Sequence, residues 1–103
     1  MRQIKFRYWY ANEKKMAYDI RMLFPMYSNH PIAMQFTGLQ DSQGVDIWEG
    51  DVVTFSYVSG YVNTSVVEWR NSGAKFVTGS NTMIEARIYT VIGNIYESPE
   101  LMK

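Results

Sequence analysis

Asp46, Glu49 and Asp51, set around Gly50, form the densest chemistry-bearing feature of this 103-residue chain. In an extended segment Glu49 and Asp51 share a face, because side chains alternate along a strand, and a glycine between them lets the backbone approach a ligand. Carboxylate oxygens so placed hold hard cations such as Mg²⁺ or Ca²⁺. The spacing lacks the full acidic pattern of an EF-hand loop and needs distant partners, so a turn or a solvated acidic face is the preferred reading. Acid–base hydrolysis by the same carboxylates requires that folding set two across a cleft and pull their proton affinities apart. His30 is the one histidine and stands between Asn29 and Pro31, a loop context in which no serine can be assigned as its nucleophile. The absence of cysteine excludes disulfides, thiolate ligands and cysteine nucleophiles. Nor is there a P-loop, a dinucleotide glycine fingerprint or a spaced set of zinc ligands. No catalytic, cofactor-binding or metal residue is assigned and no cofactor is expected; a carboxylate-dependent metal enzyme is the least favoured reading.

Aromatic residues make the better case for binding. Trp9, Tyr10, Trp48, Tyr57, Tyr61 and Trp69 are available to cover a core or to expose a face beside Lys5, Arg7, Arg70 or Arg87. Rings that stack single-stranded bases while cations contact phosphate are common on small β folds. Rings that bridge sheet faces or build a protein interface are the preferred alternative. The interaction surface expected from sequence comprises Lys5, Arg7, Trp9, Tyr10, Trp48, Glu49, Asp51, Tyr61, Trp69 and Arg70.

Formal net charge is zero, but its distribution is uneven. Arg2, Lys5, Arg7, Lys14, Lys15 and Arg21 crowd the beginning, and no lysine or arginine follows until Arg70, whereas Asp41, Asp46, Glu49, Asp51 and Glu68 occupy the middle. Pairing of these regions within one fold is preferred over attraction to a second copy. Overall neutrality weakens the case for a basic arm on nucleic acid.

The elements that must position these residues read as strands. Ile4, Phe6 and Tyr8 alternate with Lys5, Arg7 and Trp9, which predicts a half-buried strand whose Ile4–Phe6–Tyr8 face joins the core. The polar run 12–15 predicts a hairpin turn, in competition with a short helix from Asn12, and Met16, Tyr18 and Ile20 a returning strand. Pro25 and Pro31 mark a loop-rich crossing. Ile32, Met34 and Phe36 resume alternation, and Asp41-Ser42-Gln43-Gly44 predicts a turn. The run 52–58 is rich in β-branched residues and predicts a strand entered at Gly50 and closed near Gly60. Val62 to Trp69 changes face at Val66–Val67, which predicts a bulge. Turn signals at 71–73 and 79–81 flank a short strand. The run 83–88 permits a helical turn before a terminal strand over 88–92, after which Gly93-Asn94 bends the chain near Ile95 and Tyr96 and a short tail follows.

Three stretches, IKFRYWY near the start, MQFTGLQDSQGVDIWEGDVVTF in the middle and VIGNIYESPEL near the end, together resemble the YopX-like family of bacteriophage and prophage proteins. The match rests on Ile4–Arg7, on Gln35, Thr37, Gly38, Leu39, Asp41, Gly44, Ile47, Glu49, Gly50, Asp51 and Val53, and on Val91–Asn94, Tyr96, Glu97 and Pro99–Leu101. Phe36 and Trp48 stand where many relatives carry tyrosine, which keeps aromatic bulk and removes a hydroxyl. The resemblance implies a phage or prophage origin and a mostly β fold. Pattern and resemblance together give the fold expectation: all-β or β-rich α+β, a small sandwich or partly open barrel with an SH3-like portion and long loops, in one domain over residues 1–103. The start of the chain alternates too regularly for a secretory leader, and no apolar run approaches the roughly 20 residues that span a bilayer. A bacterial host cytoplasm and no membrane partner are therefore expected. The expected role is a non-enzymatic module that binds itself or a phage or host protein, with single-stranded nucleic acid as the alternative partner.

Overall fold

The computed structural model describes residues 4–18, 31–56, 58–70, 75–78, 81–82 and 88–102. The expected crossing through Pro25 and His30, the turn at 71–73, Gly79 and Ser80 of the turn at 79–81, the 83–87 segment, Ile20 and Tyr57 lie outside them. Among the described residues nine strands form two sheets. The first contains β1 (Phe6–Tyr10), β2 (Lys15–Ala17), β3 (Ile32–Gln40) and β4 (Asp46–Trp48), in the order β2-β1-β3-β4. The second contains β5 (Asp51–Ser56), β6 (Val62–Arg70), β7 (Lys75–Thr78), β8 (Asn81–Thr82) and β9 (Thr90–Asn94), in the order β8-β7-β6-β5-β9. All strand pairings are antiparallel, and a 3₁₀ turn over Pro99–Met102 follows. The β-rich expectation holds, and the polar run after Tyr10 is the turn of the β1–β2 hairpin rather than a helix.

Both sheets contribute to one core. Ile47 from β4 packs with Val53, Val67 and Phe76 from the second sheet, and Leu39, Tyr89 and Val91 close around them. β-Branched residues suit this position because their stiff side chains pack well on a pleated surface.

Two expectations need correction. On β1 the inward face is the opposite one: Arg7 and Trp9 are buried, whereas Ile4 is 70% and Phe6 40% exposed; on the expected face Tyr10 alone, at the end of the strand, is buried. Alternation identifies two faces but not which one meets the core; here a buried carboxylate receives Arg7, and Trp9 has Tyr96 to stack on, at 6.2 Å between ring centroids. The bulge lies elsewhere too. β6 keeps an unbroken register with β5 over Val62–Val66 and with β7 over Val67–Arg70. Val66–Val67 therefore marks where the strand changes partners. The register slips instead between β5 and β9, where Val52 faces Gly93 but Val53 faces Val91, leaving Ile92 as the extra residue, and between β3 and β4, where Phe36 faces Trp48 but Gln40 faces Asp46.

Candidate functional site

The central stretch stitches the two sheets together at two points, beginning at Asp41. Its Oδ1 accepts the backbone N–H groups of Gln43 and Val45 at 2.8 and 2.9 Å, and its Oδ2 that of Val91 on β9 at 2.9 Å. The neighbouring Ser42 N–H donates to the Tyr89 carbonyl at 2.9 Å. Burial acts to raise the Asp41 pKa, but the three N–H donors outweigh it and hold the carboxyl below its ordinary value. Before this turn, Thr37 Oγ1 donates to the Ile47 carbonyl at 2.7 Å and accepts the Leu39 N–H at 3.1 Å.

The second stitch is the β4–β5 corner. Gly50 N–H donates to the Val67 carbonyl at 2.9 Å, and its own carbonyl accepts the Ile95 N–H at 3.0 Å. Gly50 has φ +88°, and a Cβ there would meet Met34 Sδ at 3.2 Å and Tyr96 Cε2 at 3.3 Å. Both conformation and space call for glycine.

Below the corner lies a buried ion pair. Asp51 Oδ1 accepts from Arg7 Nη2 at 2.7 Å, and Oδ2 accepts the Trp48 N–H at 2.7 Å. The guanidinium lies 5.4 Å from the Trp48 ring centroid, while Arg7 Nε is buried with no hydrogen-bond partner among the described residues. Burial pushes the Asp51 carboxyl above its ordinary value against the pull of Arg7. Lys5 Nζ pairs with Asp46 Oδ2 at 2.8 Å and sits over Phe36, 4.4 Å from its centroid. The Lys5 hydrogen bond lowers the Asp46 pKa. The basic beginning and the acidic middle thus meet within one chain.

These contacts disperse the three carboxylates that the spacing brings to attention. Asp46 bonds Lys5 and Gln40, Glu49 Oε1 accepts the Gln35 N–H at 3.2 Å, and Asp51 bonds Arg7 and Trp48. Among the described residues no three His, Cys, Asp or Glu side chains converge on a metal position, and no helix is long and apolar enough to cross a membrane.

Between the sheets runs a groove of about 400 Å³. One wall is Ile32–Met34 of β3, the other Val66–Trp69 of β6; Glu49 and Gly50 lie at the corner, with Ile95 and Tyr96 beside them. Ile32 and Trp69 remain 41% and 39% exposed. A second cavity of about 500 Å³, bordered by Trp9, Lys14 and Pro99, shares Tyr96 with the first.

The surface expected from sequence is divided by the fold. Arg7, Trp9, Tyr10, Trp48 and Asp51 are interior, and Lys5 and Glu49 are half-buried. Tyr61, Trp69 and Arg70 are exposed. Tyr61 precedes one end of β6 while Trp69 and Arg70 end it, roughly 26 Å away at strand rise, so the fold does not gather them. The groove adds residues that sequence reasoning passed over: Ile32, Ala33 and Glu68. For Glu68 the available signal was the change of face at Val66–Val67, which is where β6 exchanges one partner strand for the other.

Comparison with known proteins fits this picture. No curated protein matches the chain. The crystal structure of protein EF1440 from Enterococcus faecalis shares the fold, with a TM-score of 0.75 and 22% identity over 100% of both chains. The family model described as YopX protein matches residues 21–103, which contain the stitching turn, the glycine corner and Asp51; the chain therefore belongs to the YopX family.

Proposed function

We propose that this chain is a non-enzymatic accessory module of a bacteriophage or prophage, one domain over residues 1–103, acting in the cytoplasm of a bacterial host by binding a phage or host protein or a second copy of itself. The observation that carries this reading is the groove between the sheets, which keeps Ile32 and Trp69 partly exposed at its walls while the carboxylates of the central motif serve internal bonds. Burial of apolar side chains there supplies affinity, and the surrounding charge sets orientation. Lys5 and Arg7, which a nucleic-acid surface would need, are engaged with Asp46 and Asp51.

Light scattering across a wide concentration range, run beside a low-salt titration with single-stranded DNA and RNA, tests the proposal. A mass that grows with concentration and reverts to monomer in Trp69→Ser supports self-association through the groove. Saturable nucleic-acid binding that weakens with salt replaces the proposal with the nucleic-acid reading.

A further inference from the structure

We infer that the groove receives an extended segment of a partner protein, rich in alternating apolar and basic residues, which adds as a short strand to the open side of β3. The inference rests on the protein-binding reading and supplies the chemistry of the partner.

β3 uses its two sides unequally. Over Ile32–Gln35 it pairs with β1, and from Phe36 onward it pairs with β4 on the other side. The Phe36 N–H donates to Lys5, which sets the phase: Phe36, Met34 and Ile32 direct their backbone groups toward β1. Residues of the other parity turn theirs toward the groove. Gln35 shows this directly, since its N–H is taken by Glu49 Oε1 and its carbonyl accepts the Glu49 N–H at 2.9 Å. One alternation earlier, Ala33 directs its N–H and carbonyl the same way, and among the described residues no strand is paired with it there. Ala33 is exposed and carries only a methyl group, so an incoming backbone can approach. An open edge of this kind is a template for strand addition.

Side chains around the edge select the occupant. Ile32 and Trp69 offer apolar contact from opposite walls, and among the described residues the charged ones lining the groove are Glu49 and Glu68, both acidic. Lysine or arginine on the incoming segment complements them, and acidic segments are repelled. The open run is short, so the contact is weak unless a larger interface accompanies it.

The test uses the isotopically labelled full chain and two synthetic peptides, one alternating valine with lysine and arginine, the other alternating valine with glutamate. The basic peptide is expected to shift the amide resonances of Ile32–Gln35 and to slow hydrogen exchange at Ala33 about tenfold at saturation. Ala33→Pro, which places the missing N–H on the open edge where proline is tolerated, abolishes that binding. Glu68→Lys, on the surface, weakens the basic peptide about fivefold and improves the acidic one. Binding of the basic peptide that leaves the β3 amides unmoved overturns the strand-addition inference while the protein-binding reading survives. No binding of either peptide overturns the inference; if the chain also stays monomeric in light scattering, self-association through the groove fails with it. Equal binding of both peptides overturns the charge selection.

Discussion

Arg7 and Asp51 are each buried because the other is. The pair is isolated from water, and removing one partner of such a pair costs about 3–5 kcal/mol, since the remaining charge is left without compensation. Arg7→Met is expected to cost this much at neutral pH, measured by urea unfolding. Burial already raises the Asp51 pKa, and loss of Arg7 raises it further. The folded variant then holds a proton that the unfolded chain releases near 3.8, so its stability is highest below that value and falls as pH rises through the folded pKa. The penalty for Arg7→Met should therefore be smaller at pH ~4 than at pH ~8; a penalty independent of pH would place the cost in packing alone. Asp41 and Asp46 have the opposite sign. Their folded pKa values are lowered, so the stability they contribute is present above 3.8 and is lost as pH falls through the folded values. Asp41→Ala strands three backbone N–H groups and is expected to cost about 2–4 kcal/mol at neutral pH, with a shallower loss of stability toward acid than the parent chain. Stability curves with the same acid slope would show that Asp41 is not a source of the acid sensitivity.

At the scale of elements, the turns were legible in the sequence and the faces were not. Asp41-Ser42-Gln43-Gly44 announces a turn through residues that bond their own backbone, and the structure has it. Gly44 and Gly50 both adopt positive φ, at +80° and +88°, yet they differ in surroundings: among the described residues nothing lies within 4 Å of a Cβ at Gly44, whereas Gly50 is hemmed in by Met34 and Tyr96. Gly44→Ala should cost about 1–2 kcal/mol from backbone strain. Gly50→Ala should cost more and also lower protection of the Ile95 amide, read by hydrogen exchange. Equal costs would mean that Met34 and Tyr96 yield without effect. Gly93 is a matter of space, since a Cβ there would lie 2.6 Å from Leu101 Cδ1. Its alanine variant should displace Leu101 and speed exchange at the amides of Ser98 and Leu101 in and before the 3₁₀ turn; unchanged exchange would show that Leu101 rotates aside. The reversed face of β1 and the misplaced bulge have one cause. Period-two alternation is a local property, and choosing the inner face or the slipped register depends on partners distant in sequence.

For the whole molecule, the central motif joins the two sheets through Asp41 to β9 and through Gly50 to β6 and Ile95. With the core also shared, the two sheets are expected to unfold together. Trp9 and Trp48 report on the first sheet and Trp69 on the second. Urea transitions of single-tryptophan variants should therefore coincide with each other and with far-ultraviolet circular dichroism; separated midpoints would show two independent units. The family motif emerges from this as chiefly a folding device. Thr37, Asp41, Glu49, Gly50 and Asp51 all have internal bonds, which accounts for their spacing without chemistry on a ligand.

By itself, the sequence determined the β-rich class, the positions of the described turns, the family and the opposition of a basic beginning to an acidic middle, because these follow from local backbone preference, composition and motif order. Only the tertiary structure decided that Arg7 and Trp9 face inward, that Asp46, Glu49 and Asp51 part company, and that Ala33, Glu68 and Trp69 border one groove. Those outcomes depend on contacts across tens of residues, where register and burial select between two faces that look equivalent along the chain.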